Sequence, residues 1–174
     1  RFSGLIAMSV PYGGRPEQSP LVSWRETFAD NFYYILYHNE PEGVAEAEYD
    51  NNPYGLISRL YLSPDSQRHA PEVTDPRRDA GGWIPRLGEP LDLPDWLNQS
   101  DLDYVVNEFK RSGFRGGVNY YRNFHRNWEI TADLQDARIS VPTLFIAGEQ
   151  DVVIAGANRA RLQGAMRRVV DDLR

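Results

Sequence analysis

The sequence contains no cysteine, and this absence excludes several kinds of chemistry. Disulfide bonds, thiolate nucleophiles and zinc–thiolate sites all need a cysteine side chain. Lysine is almost absent as well: Lys110 is the only lysine among 19 basic residues, and the formal net charge at pH 7 is −6. Nucleic-acid binding normally depends on a clustered positive surface. We therefore expect no nucleic-acid partner.

Long apolar segments are also missing from the sequence. No apolar run approaches the ~20 residues that span a bilayer, and no signal-peptide pattern is visible, so we expect no membrane partner. Because the chain lacks cysteine, a cytoplasmic location fits it best. The sequence does not begin with methionine, and Arg1 is followed almost at once by an apolar run. We expect the natural start to lie upstream.

Two apolar runs near the ends of the chain are its strongest strand signals. Residues 4–10 (GLIAMSV) and 141–148 (VPTLFIAG) are typical of buried strands in a parallel sheet. A stable sheet of this kind needs further strands and covering layers. The economical interpretation is that the two strands are neighbours in a larger α/β sheet, and that the chain between them is a mostly helical insertion.

This pattern predicts an α/β fold class with three segments. Residues 1–19 hold the first core strand and its connection, and residues 20–135 form the helical insertion. Residues 136–174 hold the second core strand and a helix. Within the insertion, residues 63–99 are rich in proline, glycine and aspartate, which predicts a long loop.

Several helix boundaries follow from capping residues. Ser23, with a glutamate three positions later, predicts a helix start, and so does Asn52 before a proline. Ser100 predicts the start of an amphipathic helix, and Gly113 predicts its end. Another helix is expected around residues 120–126.

Familiar catalytic and cofactor-binding motifs are absent from the sequence. It contains no GxSxG, GxxxxGKS/T, GxGxxG or HExxH pattern. Its three histidines, His38, His69 and His125, have no metal-ligand spacing to one another. For each of them, a surface position or a hydrogen-bonded structural position is the favoured interpretation.

Asp151 is the one acidic residue whose position suggests chemistry, because it follows the second apolar run closely. Catalytic groups in open α/β sheets gather at the carboxyl ends of strands. An acid placed there can hold a histidine in the correct tautomer and stabilise its cationic form. A helix cap or a turn would use an aspartate equally well, and on spacing alone this second interpretation is favoured.

The ten tyrosines offer a second candidate chemistry. A phenol can donate a hydrogen bond to a developing oxyanion or a proton to a leaving oxygen. Aromatic clusters such as residues 32–34 and 120–121 are, however, more typical of core or interface packing. On spacing alone, packing is the favoured interpretation.

The chain resembles the soluble epoxide hydrolases of the α/β-hydrolase fold along almost its whole length, and four segments carry the resemblance. Residues 113–123 (GFRGGVNYYRN) are similar to the family's long and specific lid motif, GFRGxxNxYRN. Residues 32–48 (FYYILYHNEPEGVAEAE) are similar to the segment that ends in EPGVAEAE, with one extra residue, Glu42. Residues 141–151 resemble the strand that delivers the catalytic acid, and residues 4–10 resemble the strand that leads into the lid.

The resemblance implies a two-step hydrolysis of a small hydrophobic epoxide, with no cofactor and no metal. A nucleophilic aspartate forms an alkyl-enzyme ester, and two lid tyrosines hold and protonate the epoxide oxygen. A histidine oriented by an acid then activates the water that releases a 1,2-diol. By motif position the tyrosines are Tyr34 and Tyr121, and the acid is Asp151. His38 stands where relatives often have an aromatic residue.

The resemblance also implies that part of the machinery lies outside the chain. In this fold the chain order is nucleophile, acid, histidine, so the nucleophile would precede Arg1 and the histidine would follow Arg174. We therefore expect the isolated chain to be inactive. Two other interpretations stay open: another lid-bearing α/β-hydrolase, similar to the haloalkane dehalogenases, and a non-catalytic binding fragment. The oligomeric state is also open.

Overall fold

A computed structural model shows a mostly helical chain with two short strands. The structure describes residues 2–41, 43–63, 65–151, 153–154 and 158–174. In chain order, the strands and α-helices of these residues are β1 (Leu5–Met8), α1 (Pro20–Phe28), α2 (Tyr34–His38), α3 (Val44–Asn51), α4 (Pro53–Leu60), α5 (Gln99–Ser112), α6 (Arg115–Arg122), α7 (Phe124–Ile130), β2 (Thr143–Ile146) and α8 (Arg159–Arg167). Single-turn 3-10 helices lie at Arg78–Ala80, Ile84–Arg86 and Ala132–Leu134.

The chain divides into two compact units. The strand unit consists of Arg1–Gln18 and Asn127–Arg174, and the helical unit consists of Ser19–Arg126. The helical unit corresponds to most of the insertion expected at residues 20–135, whereas residues 127–135 group with the strands. The roles of the two units as core and lid stay a prediction. Among the described residues, none of the helices is both long and apolar enough to cross a bilayer.

β1 and β2 run parallel and pair directly with each other. Leu5 lies opposite Thr143, and Met8 lies opposite Ile146. The prediction of parallel neighbouring strands is therefore confirmed. β1 ends sooner than the apolar run does, because Ser9 has a left-handed backbone conformation with φ of 61°.

The two strands are covered to different extents. In a sheet of two described strands, Ile6 and Met8 of β1 are 63% and 68% exposed, as expected of strands that need further strands and layers to cover them. β2 is better covered: the Thr143 side chain is buried, and its backbone N–H donates to the carbonyl of Asp172 at 2.8 Å. Burial depends on which elements cover a strand, and the hydropathy of the strand does not specify them.

α1 begins at Pro20, so the expected helix start at Ser23 is wrong. The fixed φ of proline suits the first turn of a helix, and Ser19 occupies the capping position before it. Ser23 therefore lies inside the helix, where its carbonyl accepts a hydrogen bond from the Thr27 hydroxyl at 2.8 Å.

α5 begins at Gln99 because Asn98, and not Ser100, caps it. The Asn98 side-chain oxygen accepts a hydrogen bond from the backbone N–H of Asp101 at 3.0 Å, which satisfies one of the free donors of the first turn. The Ser100 hydroxyl donates to the same Asn98 oxygen at 2.9 Å. Gly113 follows the helix with φ of 69°, so its predicted role as the stop is confirmed.

The helix expected around residues 120–126 is interrupted: α6 ends at Arg122 and α7 begins at Phe124. Asn123 lies between the two helices, and its side-chain amide donates to the carbonyl of Asn119 at 2.9 Å. Side-chain amides that bond to the backbone compete with helix continuation. The interruption leaves Tyr121 in the last turn of a short helix.

A single hydrophobic core holds the helical unit together, and each large side chain buried in such a core contributes roughly 1.5–3 kcal/mol relative to exposure. Its buried members come from α3, α4, α5, α6 and the connections between them, and they are Ala45, Tyr49, Leu56, Ile57, Ile84, Leu97, Leu102, Val106, Phe114 and Val118. Tyr37 of α2 packs against this core, and α2, α3 and α6 contact one another. These three helices carry most of the site described next.

Candidate active site

Tyr34 is the first residue of α2, and its ring lies against Trp83. The two rings are stacked, with centroids 4.9 Å apart and planes inclined by 15°. Trp83 belongs to the loop between α4 and α5, and its backbone N–H donates to the Glu48 carboxylate of α3 at 3.0 Å. Ile84 donates to the other oxygen of the same carboxylate at 3.0 Å. Glu48 thus fixes the loop that supplies one wall of the site.

Tyr121 reaches the same place from α6. Its ring meets the ring of Tyr34 edge-on, with centroids 5.7 Å apart and an interplanar angle of 81°. The two tyrosines are distant in sequence, and the contact between α2 and α6 brings them together. The structure therefore groups the two residues that the motif resemblance selected, while their chemical roles stay a prediction.

The pKa of Tyr34 is raised to about 12. Burial of the phenol is the main cause, because it disfavours the charged phenolate, and the neighbouring Tyr121 and Tyr33 hydroxyls add to the effect. At neutral pH the Tyr34 hydroxyl therefore keeps its proton. A protonated phenol beside a second tyrosine is a hydrogen-bond donor to any oxygen that enters between them.

Tyr33, the alternative to Tyr34 in the same motif, has different surroundings. Its ring stacks on Phe28 with centroids 4.0 Å apart. It also lines a pocket of about 400 Å³, together with Phe32 and Tyr37, and neither Tyr34 nor Tyr121 lines that pocket. The Tyr33 ring also lies edge-on to the ring of Tyr34, with centroids 5.2 Å apart, and the choice of Tyr34 as the partner of Tyr121 stays a prediction.

His38, at the end of α2, is buried and only 3% exposed. Its Nε2 lies 2.9 Å from the hydroxyl oxygen of Tyr49, and its ring centroid lies 4.5 Å from that of Tyr121. Among the described residues, its Nδ1 has no hydrogen-bond partner. Burial lowers the pKa of His38 to about 4, the positive charge of Arg122 adds to this, and Glu46 opposes it. His38 is therefore neutral near pH 7.

A buried ion pair lies beside the tyrosines, between Glu46 of α3 and Arg122 of α6. The Arg122 Nη2 donates to Glu46 Oε2 at 2.9 Å, and Nη1 donates to Oε1. The hydrogen bonds from Arg122 are the main reason that the pKa of the Glu46 carboxyl is lowered. The sequence analysis assigned no role to either residue, although both stand inside the quoted motifs.

Asp151 follows β2 in the strand unit and is half-buried. Its Oδ1 accepts a hydrogen bond from the backbone N–H of Val153 at 2.9 Å, which is the arrangement expected of a turn aspartate. Among the described residues, no donor reaches its other carboxylate oxygen. The turn bond engages one oxygen only, and the proposed role of Asp151 as an orienting acid stays a prediction.

The described residues offer no evident metal site: within them, no three histidine, aspartate or glutamate side chains come together in a way that could hold a metal ion. The groups around the two tyrosines are instead aromatic rings and one satisfied ion pair. Such an arrangement can donate hydrogen bonds from phenols within apolar walls. It is suited to stabilising a developing charge on a substrate oxygen.

Two curated proteins with similar sequences are both named epoxide hydrolases. Epoxide hydrolase A of Mycobacterium tuberculosis is 42% identical to this chain over 179 residues, which cover 99% of the chain and 55% of that protein. Epoxide hydrolase 1 of Siraitia grosvenorii is 36% identical over 158 residues, which cover 88% of the chain and 46% of that protein. The chain thus spans about half the length of these curated relatives. No protein-family model matches it.

The comparison with solved structures also finds an epoxide hydrolase. The crystal structure of epoxide hydrolase A from Mycobacterium thermoresistibile matches 99% of this chain and 54% of its own chain, with a TM-score of 0.79 and 36% sequence identity. The likeness extends over both the strand unit and the helical unit.

Proposed function

We propose that this chain, which is homologous to the epoxide hydrolases of the α/β-hydrolase fold along nearly its whole length, serves in its full-length protein to hydrolyse an epoxide to a 1,2-diol. The chain carries two parallel strands of that fold and a helical insertion, which we assign as the lid. The observation that supports the proposal most directly is the contact between Tyr34 and Tyr121, whose ring centroids lie 5.7 Å apart.

In the proposed first step, the two tyrosines act on the epoxide oxygen. A carboxylate nucleophile opens the ring and forms an alkyl-enzyme ester, and the C–O bond that breaks leaves negative charge on the epoxide oxygen. The hydroxyls of Tyr34 and Tyr121 donate hydrogen bonds to that oxygen as the charge develops. An alkoxide is a stronger base than a phenolate, so a proton passes from phenol to alkoxide. The raised pKa of Tyr34 keeps this proton in place until ring opening.

The aromatic walls support this step by excluding water. Trp83 stacks on Tyr34, and buried His38 packs against Tyr121. A hydrogen bond to a developing charge is stronger in such apolar surroundings than in water. These walls also suit a small hydrophobic substrate, which we propose as the substrate class.

In the proposed second step, Asp151 acts through a histidine contributed by the full-length protein. The carboxylate holds the imidazole in the tautomer that accepts a proton from water. The activated water then attacks the ester carbonyl, and the C–O bond of the ester breaks to release the diol and a carboxylic acid. The leaving oxygen takes its proton from the protonated histidine, and the proton of the carboxylic acid restores the tyrosine phenol. The position of Asp151 in the segment after β2, which ends at Ile146, supports this role, because catalytic groups in such sheets gather near the strand ends. The cytoplasmic location expected from the sequence belongs to the same proposal and is tested by cell fractionation.

The experiment compares two adjacent tyrosines in the full-length protein. Styrene oxide is supplied as substrate, and diol formation and the rate of ester formation in a single turnover are measured. We expect Tyr121→Phe to slow ester formation about 100-fold, as loss of one oxyanion donor does in other enzymes. Tyr120→Phe is the control, because Tyr120 is 82% exposed and should leave the rate unchanged. Equal rates for the two variants, or no diol from the wild type, would reject the proposal.

A further inference from the structure

We infer that Arg122 and Glu46 are positioning residues, whose buried ion pair holds Tyr121 against Tyr34 at the spacing that ring opening requires. The inference rests on the proposed function and adds residues that do not touch the substrate. Arg122 follows Tyr121 directly in α6, and Glu46 lies in the first turn of α3. Their side chains are 19% and 10% exposed.

The ion pair has the geometry of a rigid link. Two guanidinium nitrogens of Arg122 donate separately to the two carboxylate oxygens of Glu46. A pair of parallel hydrogen bonds fixes the relative orientation of the two groups as well as their distance. A lysine in place of Arg122 would keep the charge and lose this geometry, since an ammonium is a point charge.

The same guanidinium also joins the helix of Tyr121 to the helix of Tyr34. Its Nε donates to the backbone carbonyl of His38, the last residue of α2, at 3.0 Å. Nη1 additionally donates to the Asn119 side chain of α6 at 3.0 Å. One side chain therefore connects α2, α3 and α6 through all three of its nitrogens.

Asn39, directly after α2, supplies a second link between the two helices. Its side-chain amide donates to the carbonyl of Tyr121 at 3.3 Å and to the carbonyl of Ile35 at 2.8 Å. The carbonyl of Tyr121 is thus bonded to Asn39, and the side chain of the next residue, Arg122, is bonded to the carbonyl of His38. These bonds act on the residue whose placement matters for the proposed chemistry.

Short helices need such links to stay in place. α2 contains five residues, Tyr34–His38, and a helix of this length has no stability of its own in water. The edge-on contact between the rings of Tyr34 and Tyr121 is a weak interaction, which does not fix a distance. Buried ion pairs contribute little net stability compared with apolar packing, so we assign the pair of Glu46 and Arg122 a role in geometry. The pair joins α6, which carries Tyr121, to α3, and Arg122 also bonds to the end of α2, which carries Tyr34.

The test compares Arg122→Lys with Arg59→Lys in the full-length protein. Arg59 is similarly buried at 8% exposure, and it donates to the carbonyls of Leu87 at 3.1 Å and Gly55 at 2.9 Å. Its bonds lie within α4 and at Leu87, four residues after Trp83, and among the described residues none joins it to α2, to α6 or to the Glu48 carboxylate that holds Trp83. Both variants should lower the midpoint of thermal unfolding. We expect Arg122→Lys to slow ester formation by about 10-fold to 100-fold, since a misplacement of about 1 Å has this effect. Arg59→Lys should keep the wild-type rate.

A second measurement separates positioning from general damage. Because the tyrosines act on the epoxide and not on the ester, hydrolysis of the ester should proceed at the wild-type rate in Arg122→Lys. Glu46→Gln keeps the shape of the side chain and removes its charge, so it should also slow ester formation. It takes the place of Arg122→Lys in the test if that variant does not fold. The double variant should be no slower than the slower single variant, because the pair acts as one unit.

The possible outcomes distinguish this inference from the proposed function. If the wild type forms diol and Tyr121→Phe is slow, but the folded Arg122→Lys or Glu46→Gln variant forms the ester as fast as Arg59→Lys, the inference is overturned and the proposed function stands. Equal slowing of ester formation and ester hydrolysis would also overturn it, since that result indicates a purely structural pair. If the wild type forms no diol, the proposed function and the inference both fail.

Discussion

The imidazole of His38 lies directly against the ring of Tyr121, with 4.5 Å between the ring centroids. Its Nε2 is 2.9 Å from the hydroxyl oxygen of Tyr49, so one face of the site rests on a buried histidine–tyrosine hydrogen bond. Two charged groups, Glu46 and Arg122, also act on the imidazole. A group that can bind a proton is therefore packed against one of the two tyrosines proposed to hold the epoxide.

Because His38 is buried in this packing, the first prediction is that the protein loses folding stability in acid. The pKa of a histidine is near 6.5 when it is unperturbed, whereas that of His38 is lowered to about 4 in the folded protein. Between these values the unfolded chain binds a proton that the folded protein does not, so folding stability falls as the pH is lowered. The contribution is fully present above about pH 6.5 and is lost progressively down to about pH 4. A shift of this size corresponds to roughly 3 kcal/mol.

Urea unfolding of the full-length protein at pH 7 and pH 4.5 measures this effect. We expect His38→Phe to lose less stability between the two pH values than the wild type, because phenylalanine fills the site and binds no proton. His69→Gln is the control, since His69 is exposed and should leave the acid loss unchanged. If His38→Phe and the wild type lose the same free energy of unfolding between the two pH values, groups other than His38 cause the sensitivity to acid.

The choice of Tyr34 over Tyr33 is the second prediction. Tyr34→Phe should slow ester formation about 100-fold, because the ring that contacts Tyr121 loses its hydrogen-bond donor. Tyr33→Phe should change the rate of ester formation less than about threefold, within the range of ordinary packing effects. The Tyr33 ring stacks on Phe28, and removing its hydroxyl should leave that stacking in place. Single-turnover kinetics on the full-length protein compare the two variants, and a reversed order would show that the motif alignment is displaced by one residue.

Asp151 gives the third prediction. If it orients the catalytic histidine, Asp151→Asn in the full-length protein should form the alkyl-enzyme ester at nearly the wild-type rate and hydrolyse it at least about 100-fold more slowly, because the histidine loses its tautomer control. The ester should then accumulate and be detected as a mass increase of the protein after addition of epoxide. Tyr121→Phe is the matched control, since it slows the earlier step and should show no accumulation.

Native turnover by Asp151→Asn, with no trapped ester, would leave Asp151 with the turn role that its bond to Val153 already indicates.

The fourth prediction tests the wall formed by Trp83. A Cβ atom added at Gly82 would lie 2.2 Å from Glu48 Oε1, and that carboxylate is held by the backbone N–H groups of Trp83 and Ile84. Gly82→Ala should therefore displace the carboxylate, leave two donors poorly satisfied and cost about 1–3 kcal/mol. Ester formation should slow as well, because Trp83 stacks on Tyr34.

Gly116→Ala is the matched control for Gly82→Ala. A Cβ at Gly116 meets nothing within 4 Å, and the residue lies in α6, where alanine is favoured over glycine by up to about 1 kcal/mol. Thermal unfolding and single-turnover rates of both variants are measured in the full-length protein. Gly82→Ala with wild-type stability and rate would show that Glu48 does not maintain the wall.

The sequence by itself determined the features that depend on neighbouring residues. The two apolar runs located both strands, because strand formation follows local hydropathy. Gly113 marked the end of α5, since a left-handed conformation at that point suits glycine. The resemblance of two separate motifs to one family selected Tyr34 and Tyr121. The spacing of residues alone would not have paired these two tyrosines. The capping-box spacing at Ser23 indicated the wrong start for α1, which begins at Pro20.

Only the tertiary structure decided which residues surround the tyrosines. The burial of His38, the stacking of Trp83 on Tyr34 and the bonds from Arg122 to Glu46 and to the end of α2 all join segments far apart in the chain. Such contacts form because one hydrophobic core packs α2, α3 and α6 together. Hydropathy and capping patterns act over a few residues, so they specify where a helix lies but not which helix it meets.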